Sequence, residues 1–361
     1  MQLKIKHGVN YQYVHSAYPD AWTYHMQKIA IDRTDYFFIH DIGHFIYDAI
    51  YEGFRWDLFD TVLYRNPIVI LSAHAEGPSW LHVQHTVEHM ITHYDIDPKR
   101  IILWSGSGAD GAEPIIVATS YHMFVTTIDE HAVLNQNSIT HHYAMLARVP
   151  KTHRVKAAVE LLERGLDTYG KMSCGSGEYG ELTRDQYHKH VPEKWQNLFP
   201  MLLDGFIMNA DVRQYNGPLQ LTEINGAFFQ IIPETAHEWD THGWLMPFLT
   251  EKSAKCFLLK QVPIWISSVG QAKMAKDLGF DLFDDLVDHA YDTVVNPTVR
   301  LDMVMDQVER LCNIPLPQLI EYRADNANRF DNNYQLLLDI KYNLTDIKHK
   351  TILAALDKCN T

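Results

Sequence analysis

The chain has 361 residues and a mass of 41.8 kDa, enough for two domains or one large one. With 31 basic against 45 acidic side chains its net charge is −14, which argues against an electrostatic grip on nucleic acid or on an anionic membrane surface. A hydrophobic fraction of 46% suits a packed core in each half. The 4 cysteines form no C-x-x-C pair and suit a reducing compartment, and no apolar run is long enough to span a bilayer. The opening MQLKIKHGVN lacks the apolar core of a signal peptide, so a soluble cytoplasmic protein is the expectation.

In chain order, short apolar runs alternate with amphipathic stretches, the pattern of parallel sheets covered by helices. Strands are expected at Tyr36–His40, Pro67–Ala73, Arg100–Trp104, Met123–Thr127 and Tyr143–Ala147. Between the second and third lies a helix from Ser79 to about Tyr94, with Trp80, Val83, Val87, Met90 and Ile91 on one stripe. The alternation then restarts. A helix over Thr152–Arg164 is stopped by Gly165, a strand follows at Phe228–Ile232, and Thr250 caps a helix to about Leu259. Pro263–Ser267 is the next strand, and Gly270 opens a helix that ends near Gly279. Beyond Pro315 the chain reads as helical to the end. The expected α/β architecture is two Rossmann-like domains, 1–140 and 141–315, followed by a helical tail over 316–361. Ligands of such sheets bind beyond the carboxyl ends of the strands.

Two motifs point to rival chemistries. Gly106-Ser107-Gly108-Ala109-Asp110-Gly111 matches G-x-G-x-x-G with Asp129 about 20 residues on, the dinucleotide fingerprint, although Pro114 interrupts the helix that should follow. His85, Glu88 and His89 form H-x-x-E-H, extended by His93, a zinc-hydrolase pattern with no identifiable third ligand.

Three further segments carry side chains suited to an activated, anionic substrate. His74 and Glu76 follow the most apolar strand of the first half and precede its best helix, where either can act as a general base. Arg148, Lys151, His153 and Arg154 cluster where a strand hands over to a helix N-terminus, a natural phosphate site. Glu234, in the run Pro233–Glu238, precedes Glu251 and Lys252, which start a capped helix. There a carboxylate can accept both hydrogens of a ribose diol and a lysine can neutralise a diphosphate.

The run Phe248-Leu249-Thr250-Glu251-Lys252, an apolar helix, and then Val262-Pro263-Ile264-Trp265-Ile266 resembles the donor-binding signature of fucosyltransferase-like glycosyltransferases. The chain also resembles a looser group of phage and bacterial glycosyltransferase-like proteins. The likeness lies in Arg148 to Arg154, Glu234-Thr235, Thr250 to Lys252, and Asp277-Leu278-Gly279-Phe280 with Phe283-Asp284-Asp285. It departs at Ala147-Arg148, where the group often has Asn-Arg, and at Ser267 to Gly270, where a glycine commonly follows the strand directly.

The resemblance implies a GT-B fold whose two Rossmann-like domains face a cleft. Arg148, Lys151, Arg154 and Lys252 would hold the diphosphate, Glu251 the ribose, and Glu234 would lie near the sugar or nucleoside. The implied reaction transfers sugar from a nucleoside diphosphate-sugar to an acceptor hydroxyl, inverting and without metal or other cofactor, with Glu76 as base and His74 second. The expected acceptor is a glycan or small molecule rather than modified DNA. The alternatives are an NAD-dependent oxidoreductase, an inactive nucleotide- or sugar-binding module and, more distantly, a zinc hydrolase.

Overall fold

The computed structural model describes residues 11–13, 37–41, 68–73, 80–105, 116–119, 138–147, 150–175, 189–199, 224–234, 237, 247 and 249–359. It is an α/β protein built on parallel sheets, compatible with a Rossmann-like fold. The chain divides into two compact units. One comprises residues 1–123, 239–248 and 342–361; the other comprises 124–238 and 249–341.

The first unit holds β1 (Tyr11–Tyr13), β2 (Phe37–Asp41), β3 (Ile68–Ala73), β4 (Ile101–Ser105) and β5 (Ile116–Thr119). All pair in parallel and in sequential order. Helix α1 (Trp80–Tyr94) lies between β3 and β4, and it buries Val87, Met90 and Tyr94. Three expected strands are present within a residue or two. The fifth strand of the sheet is Ile116–Thr119, while Met123–Thr127 lies outside the described residues.

In the second unit the strands are β6 (His141–Ala147), β7 (Gly170–Cys174), β8 (Ala227–Pro233) and β9 (Val262–Ile266). Their order across the parallel sheet is β7-β6-β8-β9. Every residue of β8 and β9 is buried, because helices cover both faces and leave no side for polar alternation. Pro263 is tolerated because β9 is the edge strand of this sheet.

Helix α2 (Thr152–Glu163) connects β6 to β7. It ends as the sequence requires: Gly165 takes φ +67°, its N–H reaches Leu162 O at 3.1 Å, and Leu166 N–H reaches Leu161 O at 2.8 Å. Helix α3 (Glu251–Leu258) connects β8 to β9, and α4 (Gln271–Asp277) follows β9. Helix α5 (Pro297–Cys312) begins with an Asn296 cap and Pro297 in its first turn, and it packs on α2 and β9. Tyr143, Val155, Phe229, Ile264, Val304 and Leu311 meet in the core between the sheet and these helices.

The helices after Pro315 are shared out. Helices α6 (Leu316–Asp325) and α7 (Ala327–Tyr342) belong with the second unit. Helix α8 (Leu344–Lys358) packs against β4 and β5 of the first, burying Ile352, Ala355 and Leu356. The single tail expected over 316–361 is therefore divided between the units, since α8 has an apolar stripe and β5 offers it a sheet to cover.

At Gly170, which opens β7, a Cβ would stand 2.5 Å from the carbonyl oxygen of Tyr143 and 2.6 Å from its ring. The obstacle is partly backbone of the neighbouring strand, so it cannot rotate away. Gly170→Ala is expected to destabilise the protein by about 2–4 kcal/mol in urea unfolding, the cost of forcing the β6–β7 pair apart. An unchanged unfolding midpoint would show that the two strands lie further apart than this.

Candidate functional site

Strand order locates the site. The described sheet of the first unit runs sequentially and never reverses. In the second unit the chain passes from β6 to β7 on one side, then returns to place β8 on the other. The helices leaving β6 and β8 both start at this reversal, where sheets of this kind form a crevice beyond their carboxyl ends.

Glu234, the first residue after β8, occupies the reversal. Its N–H is held by Ile266 O of β9 at 3.0 Å. Its carbonyl oxygen accepts from two side chains of the first turn of α2, His153 Nε2 at 2.9 Å and Arg154 Nη2 at 3.1 Å. Its carboxylate turns the other way, into the first turn of α3. Oε1 accepts from Ser253 Oγ at 2.6 Å and Thr250 N–H at 3.3 Å, and Oε2 accepts from Thr250 Oγ1 at 2.5 Å. Trp265 Nε1 of β9 donates to the same Ser253 oxygen at 2.9 Å. One buried residue thus joins β8, β9, α2 and α3.

The expected capping by Thr250 is present, with Oγ1 accepting from Lys252 N–H at 3.3 Å. Beyond the cap, Glu251 and Lys252 are half-buried and paired, with Nζ 3.0 Å from Glu251 Oε1, 3.2 Å from Thr250 Oγ1 and 3.9 Å from Glu234 Oε2. Burial raises the Glu251 carboxyl, but the charges of Lys252 and Lys255 outweigh it and hold the group below its ordinary value. Burial brings Lys255 down to about 8, against the pull of Glu251. The opening of α3 therefore presents an ionised carboxylate beside an ammonium, at the rim rather than in the core.

Of the residues singled out from sequence, Arg154, Glu234 and Lys252 meet here, with Glu251 at the rim and Lys151 as the N-cap residue of α2. Their exposures differ. Glu234 is 1% exposed and Arg154 is 4%, so both brace the crevice from within, and the half-buried Lys252 and Glu251 face outward. Glu76, His74 and Arg148 lie outside the described residues, as do Gly106 to Gly111, Asp129 and Thr235.

Local sequence gives no sign that Ser253 and His153 both bond to Glu234, because the bonds join residues 19 and 81 positions apart, or that His153 stacks on His237. His153 is buried and stacks on His237 at 5.1 Å between centroids. Burial and the adjacent Arg154 hold the His153 imidazole well below its ordinary range, so the ring is neutral and Nε2–H donates to Glu234 O. Buried side-chain atoms without a hydrogen-bond partner among the described residues include Ser173 Oγ at the end of β7, both ring nitrogens of His237 after β8, and Ser268 Oγ after β9. These stand at the carboxyl edge of this sheet, where a ligand would supply partners, whereas His141 Nε2, also without a partner among the described residues, lies at the opposite edge.

The rival motifs fare differently. The glycine-rich motif falls in the ten residues 106–115 between β4 and the parallel β5, outside the described residues. On α1, His89 and His93 stack at 5.1 Å, and Glu88 and His93 are exposed. Among the described residues no group of three or more His, Cys, Asp or Glu is placed to hold a metal ion, and no helix is long and apolar enough to cross a membrane. No family model, no curated protein and no solved structure matches this chain.

Proposed function

We propose that the protein is a glycosyltransferase that moves a sugar from a nucleoside diphosphate-sugar to an acceptor hydroxyl. One observation carries the proposal. Arg154, from the opening of α2, and Lys252, from the opening of α3, both lie within 4 Å of Glu234 at the point where the strand order reverses. Arg154 stands on the carbonyl side of Glu234 and Lys252 on its carboxylate side, so two cationic side chains from two helix N-termini bracket the one residue at the reversal, in a protein whose net charge is −14. Such an arrangement suits a diphosphate leaving group, whose developing charge fixed cations stabilise.

In this mechanism Lys252 contacts the diphosphate and the Glu251 carboxylate accepts from the ribose hydroxyls. Arg154 and Glu234 hold the two helix openings in register. Glu76, with His74 as second choice, is proposed as the base that deprotonates the acceptor hydroxyl as it attacks the anomeric carbon, which gives inversion. The acceptor is proposed to be a glycan or small molecule.

Thermal-shift measurements across nucleotides and nucleotide-sugars test the donor class. A uridine or guanosine diphosphate-sugar at about 100 times its Kd is expected to stabilise the folded state by about 2.7 kcal/mol, a rise of several degrees. Stabilisation by NAD and by no nucleoside diphosphate would favour the oxidoreductase alternative instead.

A further inference from the structure

We infer that His237 is a ligand-binding residue, its imidazole N–H donating to a phosphoryl oxygen held at the opening of α2. The inference rests on the proposed nucleotide-sugar reading for the identity of the ligand, but the geometry behind it is separate.

Three helices open at the carboxyl edge of the second sheet. The chain's own carboxylates close two of them. Glu234 occupies the first turn of α3. Asp292 closes α4, with Oδ1 accepting from Ala272 N–H at 3.0 Å and Oδ2 from Lys273 N–H at 2.9 Å. Among the described residues no side chain caps α2: its N-cap residue Lys151 makes no side-chain cap bond, and its first turn contains no acid. A helix opening without an internal anion retains its positive end for an external one.

His237 supplies the second observation. Its ring stacks on His153 of that same first turn at an interplanar angle of 21°. The residue is 3% exposed, and neither ring nitrogen has a hydrogen-bond partner among the described residues. Leaving buried polar atoms unsatisfied is costly, and a ligand can relieve that cost. The backbone is anchored, since Arg300 Nη2 donates to His237 O while Arg300 Nε reaches Ser267 O at 2.9 Å.

The charged groups acting on the ring are cationic. Burial, then Arg300 and Lys156, hold the imidazole down to about 3, so it is neutral with one N–H to give. Arg154 lies one residue beyond the His153 ring on which it stacks. Among these cations the fitting ligand group is an anion with several acceptor oxygens, and a phosphoryl group meets that description.

The test uses the full chain with 15N-labelled histidine, titrated with inorganic pyrophosphate, uridine diphosphate and guanosine diphosphate. The His237 ring resonances, assigned among those of the 21 histidines by their loss in His237→Asn, are expected to shift when the unsubstituted chain binds. His237→Ala is expected to weaken pyrophosphate binding about tenfold or more, and His237→Asn, which keeps an N–H donor, to stay within about threefold of the unsubstituted chain. Urea unfolding of both variants checks that they fold. Unmoved ring resonances on binding, undiminished affinity in folded His237→Ala, or no binding of pyrophosphate at all would each overturn the inference. If pyrophosphate binding depends on His237 but no nucleotide-sugar binds, the anion site stands and the sugar-transfer reading falls. If nucleotide-sugars bind His237→Ala as tightly as the unsubstituted chain, the sugar-transfer reading stands and His237 is not part of it.

Discussion

Glu234→Ala is expected to destabilise the protein by about 3–5 kcal/mol, a large share of the stability of an ordinary domain. The substitution removes a carboxylate that accepts from Ser253 Oγ, Thr250 Oγ1 and Thr250 N–H, all in a buried setting. Each stranded donor carries its own desolvation cost, and the first turn of α3 loses the anion that closes it. Ser253 also receives the Trp265 indole N–H, so the disturbance reaches β9. Glu234→Gln keeps the volume and one acceptor oxygen, and is expected to lose roughly half as much. Equilibrium unfolding in urea measures both. If Glu234→Ala unfolded at the same denaturant concentration as the unsubstituted chain, the carboxylate would not be holding the two helix openings together.

Lys252→Ala should leave the fold nearly untouched and remove most of the proposed activity. The side chain is 26% exposed; its bonds are to the rim carboxylate Glu251 and to Thr250 Oγ1, and the Glu234 carboxylate, whose Oε2 lies 3.9 Å away, keeps its own bonds to Thr250 and Ser253 without it. The cap survives, because Thr250 Oγ1 accepts from the Lys252 backbone N–H, which alanine retains. If Lys252 neutralises the departing diphosphate, kcat/KM for sugar transfer should fall about 100- to 1,000-fold, and the melting-temperature rise produced by a nucleoside diphosphate should largely vanish. The melting temperature without ligand should move little. Full ligand-induced stabilisation in Lys252→Ala would remove this residue from the donor site. A collapse of stability without ligand would make its role structural.

The elements were legible where local rules are strong. Thr250 as a cap, Gly165 as a helix stop and the apolar runs of β3, β8 and β9 are each decided within about ten residues of chain. Helix Pro297–Cys312 is not among the expected elements, although an Asn-Pro start and a stripe of Leu301, Val304, Met305, Val308 and Leu311 mark it. Strand β7 carries almost none. Gly170-Lys171-Met172-Ser173-Cys174 has no run of branched or aromatic residues, and its pairing with β6 supplies what its composition lacks.

Of the candidate site, the residue types and their places at helix openings could be read directly, but the role of Glu234 could not. In sequence it is an acid after an apolar strand, as suited to a sugar as to a cap. The fold places it against Thr250 and Ser253, so its carboxylate fills the inner side of the α3 opening and leaves the more exposed Lys252 and Glu251 to meet a ligand.

By itself, then, the sequence determined the parallel α/β class, the positions of most strands and helices, and the grouping of cations and acids at two helix starts. These follow from hydrophobic period and capping chemistry, which act between near neighbours. Where the strand order reverses, which helix opening keeps its positive end and which buried nitrogens lack partners emerge only when distant segments pack together. Those outcomes depend on bonds between residues as far apart as His153 and Glu234, and no local rule specifies which distant segment a strand end will meet.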